Sequence, residues 1–104
     1  MPVVVFRSRL RPEAAEEFRK LVPRMLELAR SIPGFVSYKA FEADDGERVS
    51  IIEFETDEAL RTWREHPEHR KAQVAGRDRF YAEYDIKVCA PLREHAFRAD
   101  TSAG

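Results

Sequence analysis

Residues 35–55 read FVSYKAFEADDGERVSIIEFE. Two runs rich in Phe, Val, Tyr and Ile flank Asp44-Asp45-Gly46, a turn sequence in which glycine supplies a positive φ. The stretch predicts an antiparallel hairpin, with one strand over Phe35 to Ala43 and its partner over Glu47 to Glu55. Strict alternation puts Val36, Tyr38 and Ala40 on one face of the first strand and Phe35 and Phe41 on the other. In the second strand Ile52 and Phe54 share one face, and Val49 and Ile51 the other. Both faces therefore carry apolar groups, whereas a sheet with one wet face alternates apolar with polar. Leaving such side chains in water forfeits about 1.5–3 kcal/mol each. Either a second copy of the sheet covers them, or they are scattered surface residues of an ordinary kind.

Working outward, Pro2 to Leu10 reads as a buried strand, apolar on both faces at its start. Arg11-Pro12-Glu13 opens a helix, with proline and acidic residues early. Its apolar stripe runs through Ala14, Phe18, Leu21, Met25, Leu28 and Ile32, at steps of three and four. Pro23 lies inside it and bends the helix without ending it, because the stripe keeps its phase. Pro33-Gly34 stops it. After the hairpin, Thr56-Asp57 caps a second helix, which Pro67 divides into pieces over about 57–64 and 67–77. A last strand spans Phe80 to Ala90 and ends at Pro91. The order β-α-β-β-α-β is the ferredoxin-like pattern, an α+β fold with one four-stranded antiparallel sheet and the helices on one face. One domain over 1–91 and a loose polar tail over 92–104 are expected.

The chain has 104 residues, 36% of them charged, with a net charge of −1. Lysine and arginine are spread along it rather than gathered in a stripe, so neither nucleic acid nor an anionic membrane is an expected partner. No run approaches the ~20 apolar residues of a membrane span. The apolar run before Arg7 is shorter than a signal segment, which makes the cytoplasm the expected location. The single cysteine, Cys89, sits in an apolar run and is expected to pack rather than react. No phosphate-binding glycine loop, dinucleotide fingerprint, serine elbow or cysteine pair is present, so no cofactor is expected.

Residues 54–76, FETDEALRTWREHPEHRKAQVAG, join aromatic surface to groups that move protons near neutral pH. Trp63 lies three residues after Leu60, so both face the sheet. Trp63 is either a core anchor or the stacking wall of a pocket between helix and sheet. His66 and His69 flank Pro67-Glu68. Each is a candidate general base, because a neutral imidazole accepts protons at pH 7. The alternative is a solvent-facing or helix-capping histidine, and a metal site lacks a third ligand. Tyr38 and Tyr84, with Tyr81 nearby, can add hydroxyls to such a pocket. Glu83, Asp85 and Lys87 alternate with apolar residues and fall on the helix-free face.

The segments IPGFVSYKAFEADDG, IIEFET, DEALRTWREHPEHRKAQ and RFYAEYDI together resemble the antibiotic biosynthesis monooxygenase domain family, of the dimeric α+β barrel group, over about residues 2–90. The resemblance implies a protomer that pairs sheet to sheet as a homodimer. It also implies a cofactor-independent monooxygenase that oxidises a phenol, anthrone or quinol with O₂. In that reading Trp63 is the stacking wall, His66 or His69 the base, and Tyr38, Tyr84 and Ser8 line the substrate. One branch of the family degrades haem with an Asn on the first strand and a His late in the second helix. Ser8 and Gln73 stand at those positions here, so haem degradation is not expected. A non-catalytic small-molecule binding module and a dimeric interaction domain are the alternatives on the same scaffold.

Overall fold

A computed structural model describes residues 1–100. Strand β1 (Val3–Leu10) is followed by a 3₁₀ turn (Pro12–Ala14), helix α1 (Ala15–Ser31), strands β2 (Phe35–Glu42) and β3 (Arg48–Phe54), helices α2 (Asp57–Glu65) and α3 (Pro67–Ala75), a π-helical turn (Gly76–Phe80) and strand β4 (Tyr81–Cys89). The sheet order is β2-β3-β1-β4, antiparallel throughout. This is the expected α+β ferredoxin-like arrangement, a four-stranded antiparallel sheet with three helices in two chain segments. Among the described residues no helix is long and apolar enough to cross a membrane. From Ala90 to Asp100 the chain forms no helix or strand; the last four residues of the expected tail lie outside the described residues.

The core lies between the helices and one face of the sheet. Val4, Ile52 and Phe54 from the strands meet Ala29 of α1, Ile32 just after it, and Leu60 and Trp63 of α2. Helix α1 runs through Pro23 unbroken, as the phase of its stripe requires. Only its C-terminal half packs tightly: Leu28, Ala29 and Ile32 are buried, while Phe18, Leu21, Val22 and Met25 are half-buried. The N-terminal half stands off the sheet and leaves a space beneath it.

The first correction to the sequence reading concerns Phe35. The β2–β3 register slips between Phe35 and Ser37, so Phe35 pairs with Phe54 rather than following the alternation set by Phe41. One extra residue, Val36, turns the Phe35 ring to the helix side, where it meets Phe54 edge to face with centroids 5.9 Å apart. Beyond the slip the alternation is regular. Phe41, Val49, Ile51, Val5 and Val3 share the face away from the helices, with Phe41 48% and Ile51 37% exposed. Arg7, Lys39, Asp85 and Lys87 lie on that face too. A second correction concerns Cys89, which is exposed. It ends the edge strand β4 and, paired with Val3, lies on the helix-free face.

Two chain reversals rest on local chemistry. Gly34 has a φ of 93°, and a Cβ there would sit 2.9 Å from the Ala59 Cβ. Only glycine suits both the backbone and the space. Its carbonyl accepts from the Glu55 amide at 2.7 Å, tying the start of β2 to the end of β3. At the other end, Thr56 caps α2 by accepting from the Ala59 amide at 3.0 Å.

Candidate functional site

Proline at 67 forces the residue before it out of helical conformation, and His66 sits at φ −59°, ψ 132°. In an unbroken helix, the six steps from Trp63 to His69 would turn the chain by about 600°, leaving the two side chains on different faces. The break folds α3 back instead. The His69 ring then stacks on the indole of Trp63, with centroids 4.0 Å apart and planes at 22°. Trp63 also meets Phe54 and, edge to face, Tyr38.

This pair forms one wall of a cavity of about 320 Å³ between the helices and the sheet, at the small end of the ~300–1,000 Å³ usual for ligand pockets. The space is the one left by the standing-off half of α1. Met25 and Leu21 line it from α1, Ile52 and Tyr38 from the sheet, and Tyr84 and Ile86 from β4. The outer helices are held together by Arg24 of α1, whose guanidinium donates to both carboxylate oxygens of Glu68 at 2.8 and 2.6 Å. That fork keeps Glu68 below the usual carboxylate pKa.

The candidate residues separate on this geometry. Trp63, His69, Tyr38 and Tyr84 line the cavity together. His66 does not: its Nδ1 accepts from the Glu68 amide at 3.2 Å and caps α3. Ser8 is buried in β1, 4% exposed, and is not part of the cavity wall. Among the described residues no group of three His, Cys, Asp or Glu is placed to hold a metal ion.

Gln73, one turn along α3, places its Nε2 at 3.2 Å from the Arg64 carbonyl, to which it donates, and 3.2 Å from His69 Nδ1. In the tautomer protonated at Nε2, His69 Nδ1 accepts from this amide. Burial holds this imidazole below the usual 6.5, against the upward pull of the Trp63 and Arg64 backbone carbonyls, while His66 adds a further push down. His69 is neutral at pH 7.

Two further groups complete the wall. The Trp63 indole is 7% exposed and its Nε1–H has no acceptor among the described residues. Leaving a buried donor unpaired costs about 1–3 kcal/mol. Tyr81 packs against Phe6, Phe18 and Tyr84, with centroids 5.4–5.8 Å apart. Burial, with the nearby Tyr38, raises its phenol pKa, so it stays protonated. Its ring rests on Gly76, where a Cβ would come within 2.7 Å of it. The sequence reading left Gln73, Arg64 and Arg77 out of the site. Gln73 had a signal: it lies four residues after His69, one helical turn away.

Residues 1–75 match the model of the family described as Antibiotic biosynthesis monooxygenase. The uncharacterized protein YqjZ of Bacillus subtilis (strain 168) is 28% identical over 99 residues, which span 95% of this chain and 86% of that protein. The structure of Rv0793 from Mycobacterium tuberculosis superposes with a TM-score of 0.80 at 28% identity, covering 92% of this chain and all of that one. SnoaB of Streptomyces nogalater, a cofactor-independent oxygenase solved in a mutant form, superposes with a TM-score of 0.76 at 19% identity, covering 89% of this chain and 94% of that one. The family model matches nearly three quarters of the sequence and the fold superposes on these structures, and the chain belongs to the antibiotic biosynthesis monooxygenase family.

Proposed function

We propose that this protein is a cofactor-independent monooxygenase acting on an electron-rich aromatic phenol, anthrone or quinol. The observation that carries the reading is Trp63, a buried indole that walls an apolar cavity with its N–H unpaired. A flat aromatic ligand packs against this apolar wall, and a small turn of the indole would bring the buried N–H to an oxygen on it. The family match and the likeness to a cofactor-independent oxygenase support the same chemistry.

For an anthrone the steps balance without a cofactor. A base removes a proton from the acidic methylene. The resulting anion gives one electron to O₂, the radical pair recombines to a peroxide anion, and the protonated base returns its proton to give the hydroperoxide. Loss of water then leaves a carbonyl. One oxygen atom enters the product and the other leaves as water. His69 is the proposed base, neutral and placed at the cavity wall. To accept the proton at Nδ1 it must exchange the Gln73 amide for the substrate. Tyr81 and Tyr84 are proposed as donors to the substrate's oxygens, and the apolar lining keeps water from the carbanion. The reading extends to a homodimer closed across the helix-free face, since Phe41 and Ile51 are exposed there.

Oxygen uptake with a panel of anthrones and quinols tests the proposal. His69→Ala is expected to lower uptake by about 10²-fold or more, and Trp63→Phe to lower kcat/KM by about tenfold. His66→Ala is expected to act on stability alone. Absence of uptake across the panel, with aromatic ligands still bound, would replace the enzyme with a binding module. That second reading draws on the Gln73 contact, which already occupies the only free lone pair of His69.

A further inference from the structure

Two cations line the mostly apolar cavity. Arg64 follows Trp63 on α2, and Arg77 lies in the π-helical turn after α3. No Asp or Glu is part of the wall. Among the described residues four arginines pair with carboxylates, Arg7 with Glu47, Arg9 with Asp45 and Glu83, Arg24 with Glu27 and Glu68, and Arg79 with Glu17, and the others do not. Arg79 lies two residues from Arg77 and points its charge to α1. Among the described residues, Arg64 and Arg77 have no ion pair, although the chain carries more acidic than basic side chains. Both residues line the cavity and are exposed to solvent.

We propose that the cavity selects an aromatic acid: the ring system stacks inside against Trp63, and a carboxylate on it is held at the mouth by Arg64 and Arg77. The inference rests on the aromatic-ligand reading above and narrows it to anionic ligands. A guanidinium offers a planar fork of N–H donors that fits a carboxylate with two parallel bonds. A cation beside low-dielectric walls acts more strongly than one in open water. A second charge at the mouth also steers an anionic ligand inward and orients it, acid end out and reacting ring in. A neutral phenol or quinol of the same size gains none of this.

The test is a matched pair of probes, anthraquinone-2-carboxylate and anthraquinone-2-carboxamide, titrated into the full chain. Trp63 is the only tryptophan in the sequence, so its emission reports on the cavity wall directly. The acid is expected to bind about tenfold tighter than the amide at low ionic strength, with the gap closing in about 0.5 M salt. In the Arg64→Gln/Arg77→Gln double variant the acid is expected to fall to the level of the amide. Arg77→Lys, which keeps the charge and loses the fork, is expected to lie between. Circular dichroism checks that each variant is folded. Equal binding of acid and amide to the parent, or a preference that survives the double variant, overturns the anion site and leaves the aromatic cavity standing. Failure of both probes to bind overturns the cavity reading as well.

Discussion

His69 is held by three contacts: the Trp63 indole beneath its ring, the Gln73 amide at Nδ1, and the backbone carbonyls at the end of α2. Its folded pKa is depressed, so the unfolded chain binds the proton more readily in the window below 6.5. Stability from this residue is complete above about 6.5 and is lost as pH falls toward the folded value. NMR titration is expected to place the His69 midpoint under 6.5. In Gln73→Glu a carboxylate replaces the amide, and the midpoint is expected to move upward by about one unit or more. A midpoint at or above 6.5 in the parent would count against the burial of His69, and no movement in the variant against its contact with residue 73. At this scale the sequence was informative about residue type and silent about direction. His66 and His69 looked equivalent in the run HPEH, yet one became a cap and the other a wall. The difference comes from the φ and ψ of the residue before a proline, which orient α3 and which no spacing rule expresses.

Secondary structure was legible almost throughout, because its signals are local: the apolar steps of α1, the Thr56 cap, and the turn at Asp44-Asp45-Gly46. Two features were not. The slip at Val36 moved Phe35 across the sheet, since a single inserted residue defeats strict alternation while leaving composition unchanged. The standing-off of the first half of α1 was also invisible. A stripe shows which side faces inward and not how far away its partner lies. The turn between α1 and β2 gives this scale its prediction. Gly34→Ala combines a positive φ with an overlap against Ala59, a side chain in the first turn of α2. A loss of about 1–3 kcal/mol is expected in denaturant unfolding. A loss under about 0.5 kcal/mol would mean that β2 and α2 shift apart without penalty.

Across the whole molecule, the helix-free face decides how the protein exists in solution. Phe41, Ile51 and Val49 form an apolar strip between charged residues such as Arg7 and Lys39. The two-sided character of the hairpin was readable from sequence; what covers it was not, because a face has no partner written into it. Sedimentation at micromolar concentration is expected to give twice the chain mass, and Phe41→Glu/Ile51→Glu to give one. A parent that sediments as a single chain would remove the proposed pairing while leaving the cavity intact, since the cavity lies on the opposite side of the sheet. The cavity has its own asymmetry. Helix α2 buries Ala59, Leu60 and Trp63, whereas α3, past the break at Pro67, buries nothing fully. The outer wall is thus attached by a charged clasp, a cap and the stack of His69 on Trp63 rather than by fully buried apolar side chains. Transient fraying of α3 can admit a guest at less free-energy cost than global melting, so the route inward is separated from the part of the chain that keeps the protein folded.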